Sequence, residues 1–137
     1  MCQTKVNVLL IDDDSIYQFI TRKTLEATGY TEKISVCSNG EEAIRFLKQN
    51  LQNKNEMPDI ILLDVNMPIM NGWEFLQAYK AIQHSILKDI QIFLVTSSVD
   101  DADFRYAQQF TTVQDYIVKP IAKDRMAELL QRVVEVI

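Results

Sequence analysis

Acidic and basic side chains standing at the ends of short apolar runs are the first chemistry legible in this sequence. Asp64 closes the run Ile60-Ile61-Leu62-Leu63 and opens a loop bearing Pro68. Asp12-Asp13-Asp14-Ser15 closes the run Val6 to Ile11, Thr96-Ser97-Ser98 follows Ile90 to Val95, and Lys119-Pro120 follows Asp115 to Val118. Alone, an aspartate in such a place is a common turn starter. Four runs that each end on a group able to bind or transfer charge call for a joint explanation. If Asp12, Asp13 and Asp64 shared one pocket, each ionised pair would repel by about 3 kcal/mol at ~5 Å and an effective dielectric near ~20. Lys119 supplies one compensating charge, and a divalent cation is the natural second. Ligands that are all oxygen favour a hard ion, and a few carboxylates with open positions suit Mg²⁺ better than Ca²⁺. A carboxylate in that setting can attack phosphorus and form an aspartyl phosphate. The lysine, the ion and the Thr96 hydroxyl would then neutralise the phosphoryl oxygens.

The elements that must position these groups follow from periodicity and turn signals. Continuous apolar runs of strand length are expected in a parallel sheet covered on both faces. Strands are predicted at Val6 to Ile11, Lys33 to Cys37, Asp59 to Leu63, Ile90 to Val95 and Asp115 to Val118. Between them lie helical patterns. The first is capped by Asp14 or Ser15 and ended by Gly29, with Ile16, Phe19, Ile20 and Ala27 at helical spacing. The second follows Asn39-Gly40 with Ala43, Ile44, Leu47 and Leu51 on one face, and the third begins near Trp73 with Phe75, Leu76, Tyr79 and Ile82 inward. Asp100, Asp101 and Asp103 open a fourth, where acids complement the helix dipole. The fifth fills Ala122 to Ile137, and Met126, Leu129, Leu130, Val133, Val134, Val136 and Ile137 fall within a stripe of about 160°.

Five alternations of strand and helix predict an α/β fold, a five-stranded parallel sheet with five helices on both faces. The flavodoxin-like order 2-1-3-4-5 would set strands one and three side by side at the switch point. Asp12, Asp13, Asp64, Thr96 and Lys119 would then share the carboxyl rim, where ligands of open sheets bind.

Composition bounds the function. With 137 residues, 47% hydrophobic and 24% charged, the chain suits one globular domain, residues 1–137. A net charge of -5 argues against nucleic-acid binding, and no apolar run is long enough for a membrane span. Cys2 and Cys37 make neither a disulfide framework nor a metal site; Cys37 reads as a small buried hydrophobe, and a cytoplasmic location fits. His84 sits in a polar stretch and reads as a surface residue.

Across Val6 to Val136 the sequence resembles the response-regulator receiver domains of two-component signalling. The resemblance rests on Leu10-Ile11-Asp12-Asp13-Asp14-Ser15, Leu63-Asp64-Val65-Asn66-Met67-Pro68, Met70-Asn71-Gly72, Val95-Thr96-Ser97 and Tyr116-Ile117-Val118-Lys119-Pro120. It implies Asp64 as phosphoacceptor, Asp12 and Asp13 as the metal-binding acids beside Asp64, and the backbone carbonyl of Asn66 as the third protein ligand. It further implies Thr96 as switch hydroxyl, Lys119 as the phosphoryl-contacting lysine, Tyr116 as aromatic switch and a cis Lys119-Pro120 bond. The implied partners are a histidine kinase or phosphotransfer protein upstream and an unnamed protein downstream. The implied chemistry is that of a regulatory phosphoacceptor with no separate substrate. Departures are Thr112 in a loop where relatives commonly have glycine and Asn71 where many have an acid. Asn66 and Ser98 match positions that tune dephosphorylation.

No output domain is expected after the last helix, which suggests a stand-alone receiver. Whether a second copy docks on the helix 4–strand 5–helix 5 face, as a homodimer, the sequence leaves open. One rival is a haloacid-dehalogenase-like phosphatase with Asp12 as nucleophile and Asp14 as acid/base. Against it, Ile16 stands where Thr or Val is expected and no acidic motif follows Lys119. A flavodoxin-like cofactor carrier fails on charge, since three acids occupy the loop that would meet a phosphate.

Overall fold

A computed structural model describes residues 5–97 and 100–136. Strands β1 (Val6–Ile11), β2 (Thr31–Cys37), β3 (Ile60–Leu63), β4 (Gln91–Thr96) and β5 (Val113–Val118) alternate with helices. These are α1 (Ser15–Thr28), α2 (Gly40–Gln49), α3 (Gly72–Ile82), α4 (Asp101–Ala107) and α5 (Lys123–Val136). All strand pairs are parallel, in the order β2-β1-β3-β4-β5, as the sequence led one to expect.

The side-chain alternation of the strands builds two cores. Leu9, Ile11, Ile61, Leu63, Ile92 and Leu94 meet Ala43, Leu47, Phe75, Leu76 and Phe110 on the side of α2, α3 and α4. Val8, Leu10, Ile60, Leu62, Phe93 and Val95 meet Leu25, Met126, Leu129, Leu130 and Val133 on the side of α1 and α5. Every residue of β3 is buried, the mark of a strand covered on both faces.

Several boundaries differ from the sequence reading. β2 and β5 each begin two residues earlier, at Thr31 and Val113. β3 begins one residue later, at Ile60, although the Asp59 backbone still pairs with Asn7 and Gln91; the Asp59 carboxylate accepts the Asn7 amide at 2.8 Å and pairs with Lys88 at 3.0 Å. The loop before β5 closes without glycine: the Val113 amide donates to the Phe110 carbonyl at 3.1 Å. Asn71 makes a capping box with Glu74, so the missing acid is replaced by a helix start.

The larger correction concerns α1. Ile16 and Phe19 are 72% and 61% exposed, and Ile20 and Ala27 also face outward. The inward stripe is instead Tyr17, Thr21, Thr24, Leu25 and Thr28, of which Thr21 and Leu25 are fully buried. Periodicity identified the helix correctly, but its apolar stripe lies on the solvent side. In α5 the stripe behaves as expected: Met126, Leu129, Leu130 and Val133 are buried. Val134 is partly buried against the same core. The side chains of Val136 and Ile137 lie outside the described residues, as do Cys2 and Ser98.

Candidate functional site

Backbone pairing runs one residue past the strands at their carboxyl ends and fixes the rim. The Asp12 amide donates to the Cys37 carbonyl at 3.0 Å, the Asp64 amide to Ile11 at 2.9 Å, and the Lys119 amide to Thr96 at 2.7 Å. Since Ile11 pairs with Leu63, Asp12 and Asp64 emerge side by side. One oxygen from each of Asp12, Asp13 and Asp64 lies within 4.8 Å of the others. Asp12 and Asp64 are buried, Asp13 exposed, so the cluster opens to solvent on one side.

Lys119 Nζ enters this cluster from β5, donating to Asp12 Oδ2 at 2.8 Å and standing 3.5 Å from Asp64 Oδ1. Burial opposes its charge, but the Asp12 hydrogen bond and the Asp64 and Asp12 charges outweigh that, so its pKa rises. Asp64 is pushed the costly way. Burial, with the Asp12 charge added, raises its carboxyl from 3.8 to about 6, although Lys119 and the Val65 amide pull it down. That amide donates to Asp64 Oδ1 at 2.9 Å. One lysine against three carboxylates leaves excess negative charge, and the donors are all oxygen. These residues therefore fit a hard divalent cation.

The remaining sequence-predicted residues surround the cluster. Thr96, at the end of β4, is fully buried and beside Lys119 through the backbone bond. Tyr116, on β5, is half-buried and meets Phe104 of α4 edge-on, ring centroids 5.6 Å apart. Asn66 is exposed two residues beyond Asp64. The Lys119-Pro120 bond is cis.

Three contributors escaped the sequence reading. An added Cβ at Gly72 would stand 2.5 Å from the Asp64 carbonyl oxygen, so α3 can approach the site only with glycine there. Met70-Asn71-Gly72 entered the sequence reading as part of the resemblance, with no role for the glycine. Gln18 donates its amide to the Asp12 carbonyl. Tyr17 presents its ring to Lys119, with Nζ 4.1 Å from the centroid. Neither Gln18 nor Tyr17 carries a signal in the sequence.

The phosphatase rival loses its second residue. Asp14, its required acid/base, accepts the Ile16 and Tyr17 amides at 3.0 and 3.2 Å as the cap of α1. Asp14 thus caps α1 and is not among the carboxylates gathered at Asp64.

The family model for the response regulator receiver domain matches residues 8–131. The chain is 32% identical over 130 residues to the transcriptional regulatory protein PrrA of Mycobacterium bovis, covering 95% of this chain but 49% of that protein. It is 25% identical over 128 residues to the probable methanogenesis regulatory protein FilR2 of Methanothrix harundinacea, covering 93% and 81%. The chain thus spans about half the length of PrrA. The crystal structure of a two-component response regulator from Cytophaga hutchinsonii superposes with a TM-score of 0.85 at 32% identity, over 96% of this chain and 98% of that one. Because the family match runs from β1 into α5, and so takes in every strand that ends on the acidic rim, the chain belongs to the receiver domains of two-component response regulators.

Proposed function

We propose that this receiver domain accepts a phosphoryl group on Asp64 from a phosphohistidine of a histidine kinase or phosphotransfer protein. The carrying observation is that Asp64 is buried between Lys119 and the Asp12-Asp13 pair, with three carboxylate oxygens within 4.8 Å. Asp64 Oδ1 is held by the Val65 amide and faces Lys119, which leaves the second oxygen as nucleophile. As it bonds to phosphorus, the P–N bond of the donor breaks and the imidazole leaves with the electron pair. Lys119 turns part of its charge to the phosphoryl oxygens, and Thr96 offers its hydroxyl. In this reading Asp12, Asp13, Asp64 and the Asn66 carbonyl hold Mg²⁺. When bound, the ion neutralises the acids and screens the incoming phosphoryl charge.

The output is a population shift. A phosphorylated Asp64 favours the arrangement in which Thr96 bonds the phosphoryl oxygens and Tyr116 turns inward, loosening its contact with Phe104 and reshaping the α4–β5–α5 face. Phe104, Tyr106 and Val118 are exposed near that face and are available to a downstream protein or a second copy. Ile16, Phe19 and Ile20 form a second exposed apolar patch, on the helix that starts at the acidic rim. A donor protein reaching Asp64 would cover it. The domain acts as a regulator in the cytoplasm and turns over no separate substrate. A single domain, residues 1–137, suffices for this chemistry.

Incubation of the chain with a small phosphodonor and Mg²⁺, beside Asp64→Ala, tests the reading. A phosphate bond labile to hydroxylamine is expected on the parent alone. Label that persists in Asp64→Ala, or that maps to Asp12, overturns it.

A further inference from the structure

Lysine carries a compact charge on a flexible stem, and holding it in one place costs rotamer entropy. Lys119 is held here on three sides. Asp12 Oδ2 lies at 2.8 Å, Asp64 Oδ1 at 3.5 Å, and the Tyr17 ring centroid at 4.1 Å. The two acids change partners during the proposed cycle: one bonds phosphorus, and both are metal ligands in that reading. The ring does not. An aromatic face attracts an ammonium without engaging any of its N–H donors in a conventional hydrogen bond, and the attraction strengthens where water is excluded. Little water reaches this contact: the Lys119 side chain is only 14% exposed, and the crevice on the inner side of the ring, lined by Tyr17, Thr21, Asp12, Asp64, Val95 and Ile121, is too narrow to admit a water molecule. Tyr17 is itself anchored. It stands on the inward stripe of α1, with its hydroxyl end beside buried Thr21 and the Ile121 backbone. That places it between the first helix and the loop that carries Lys119-Pro120.

We propose that Tyr17 is a positioning residue, whose ring face keeps the Lys119 ammonium aimed at the phosphoryl site while its carboxylate partners are exchanged. This rests on the reading of Asp64 as phosphoacceptor. The ring contributes the face and the hydroxyl contributes the anchor, so the aromatic ring is the part that cannot be spared.

The test measures phosphorylation rate with acetyl phosphate and Mg²⁺ on the full chain carrying Tyr17→Phe, Tyr17→Leu or Tyr17→Met. Tyr17→Phe is expected within about twofold of the parent, and Tyr17→Leu and Tyr17→Met slower by about tenfold, between the scales of an exposed and a fully desolvated cation–π contact. In a Lys119→Met background the Tyr17→Leu change is expected to add nothing, because the ring acts only through the ammonium. The ¹³C-edited NMR spectrum supplies a readout independent of phosphate: the Lys119 ε-methylene protons should be shifted upfield by the ring in the parent and in Tyr17→Phe, and return in Tyr17→Met. Equal rates across all variants, slowing that persists in the Lys119→Met background, or no upfield shift in the parent each overturn the inference while leaving Asp64 as phosphoacceptor. A parent that takes up no phosphate on Asp64 overturns both. Should Tyr17→Leu fail to fold, Tyr17→Met and the parent spectrum decide.

Discussion

Strand β3 has a buried aspartate at each end, and the fold treats the two in opposite ways. At the amino end, Asp59 meets Lys88 at 3.0 Å and accepts the Asn7 amide at 2.8 Å. Lys88 also donates to the Met57 carbonyl at 2.7 Å. A lysine charge answers the carboxylate at ion-pair distance, and hydrogen bonds hold both partners. At the carboxyl end, Asp64 shares Lys119 with Asp12 while Asp13 stands close by. There the charges do not balance, and Asp64 is left with its carboxyl raised to about 6. The contrast separates structural from functional burial. A balanced pair is closed to ligands. An unbalanced cluster keeps an unmet demand for positive charge, which a cation can satisfy.

Neutralising each aspartate in turn gives the largest effect. Asp59→Asn strands Lys88 and should lower stability by about 3 kcal/mol, read by denaturant unfolding, with phosphate uptake by the folded fraction intact. Asp64→Asn should do the reverse. It abolishes phosphate uptake and, in metal-free buffer at neutral pH, raises stability by about 2 kcal/mol because the disfavoured charge is gone. If both substitutions destabilise alike, the contrast fails. Magnesium comes next. At a concentration about 100-fold above its dissociation constant it should stabilise the parent by about 2.7 kcal/mol, and Asp13→Asn should weaken that response while Asp59→Asn leaves it unchanged.

The pH dependence has a definite sign. The folded chain keeps the Asp64 proton to about pH 6, whereas the unfolded chain releases it near 3.8. Between those values the folded state binds more protons, so this carboxyl stabilises at low pH and its contribution is lost as pH rises from about 4 to about 6. Subtracting the metal-free stability profile of Asp64→Asn from that of the parent should expose the decline, and a flat difference would contradict the raised carboxyl.

The smallest effect concerns the loop that leaves this end of β3. Ile69 has a φ of 68°, a left-handed conformation that costs a branched residue about 1–2 kcal/mol. Ile69→Gly should recover about 1 kcal/mol in thermal unfolding, less whatever glycine gains as freedom in the unfolded chain.

Local rules reached far into this fold where burial alone set the residue types. β3 is apolar throughout because both faces are covered, so its residues announced a central strand. Gly29 ends α1 in the left-handed region at φ 78°, as its position had indicated. The same rules reached less far on α1, where Ile16 and Phe19 stand at helical spacing but the structure turns them to solvent. Periodicity reports that one side of a helix differs from the other. It does not report which side meets the sheet.

The sequence by itself determined the alternation of strands and helices and the reactive group at the end of four of the five strands, because burial period and strand termination are local properties. Only the tertiary structure decided that Asp12 and Asp64 emerge side by side with Lys119 between them, that Tyr17 backs that lysine, and that Gly72 lets α3 approach the Asp64 carbonyl. Those are distances between residues far apart in the chain, fixed by strand register and helix packing, and no short stretch of sequence contains them.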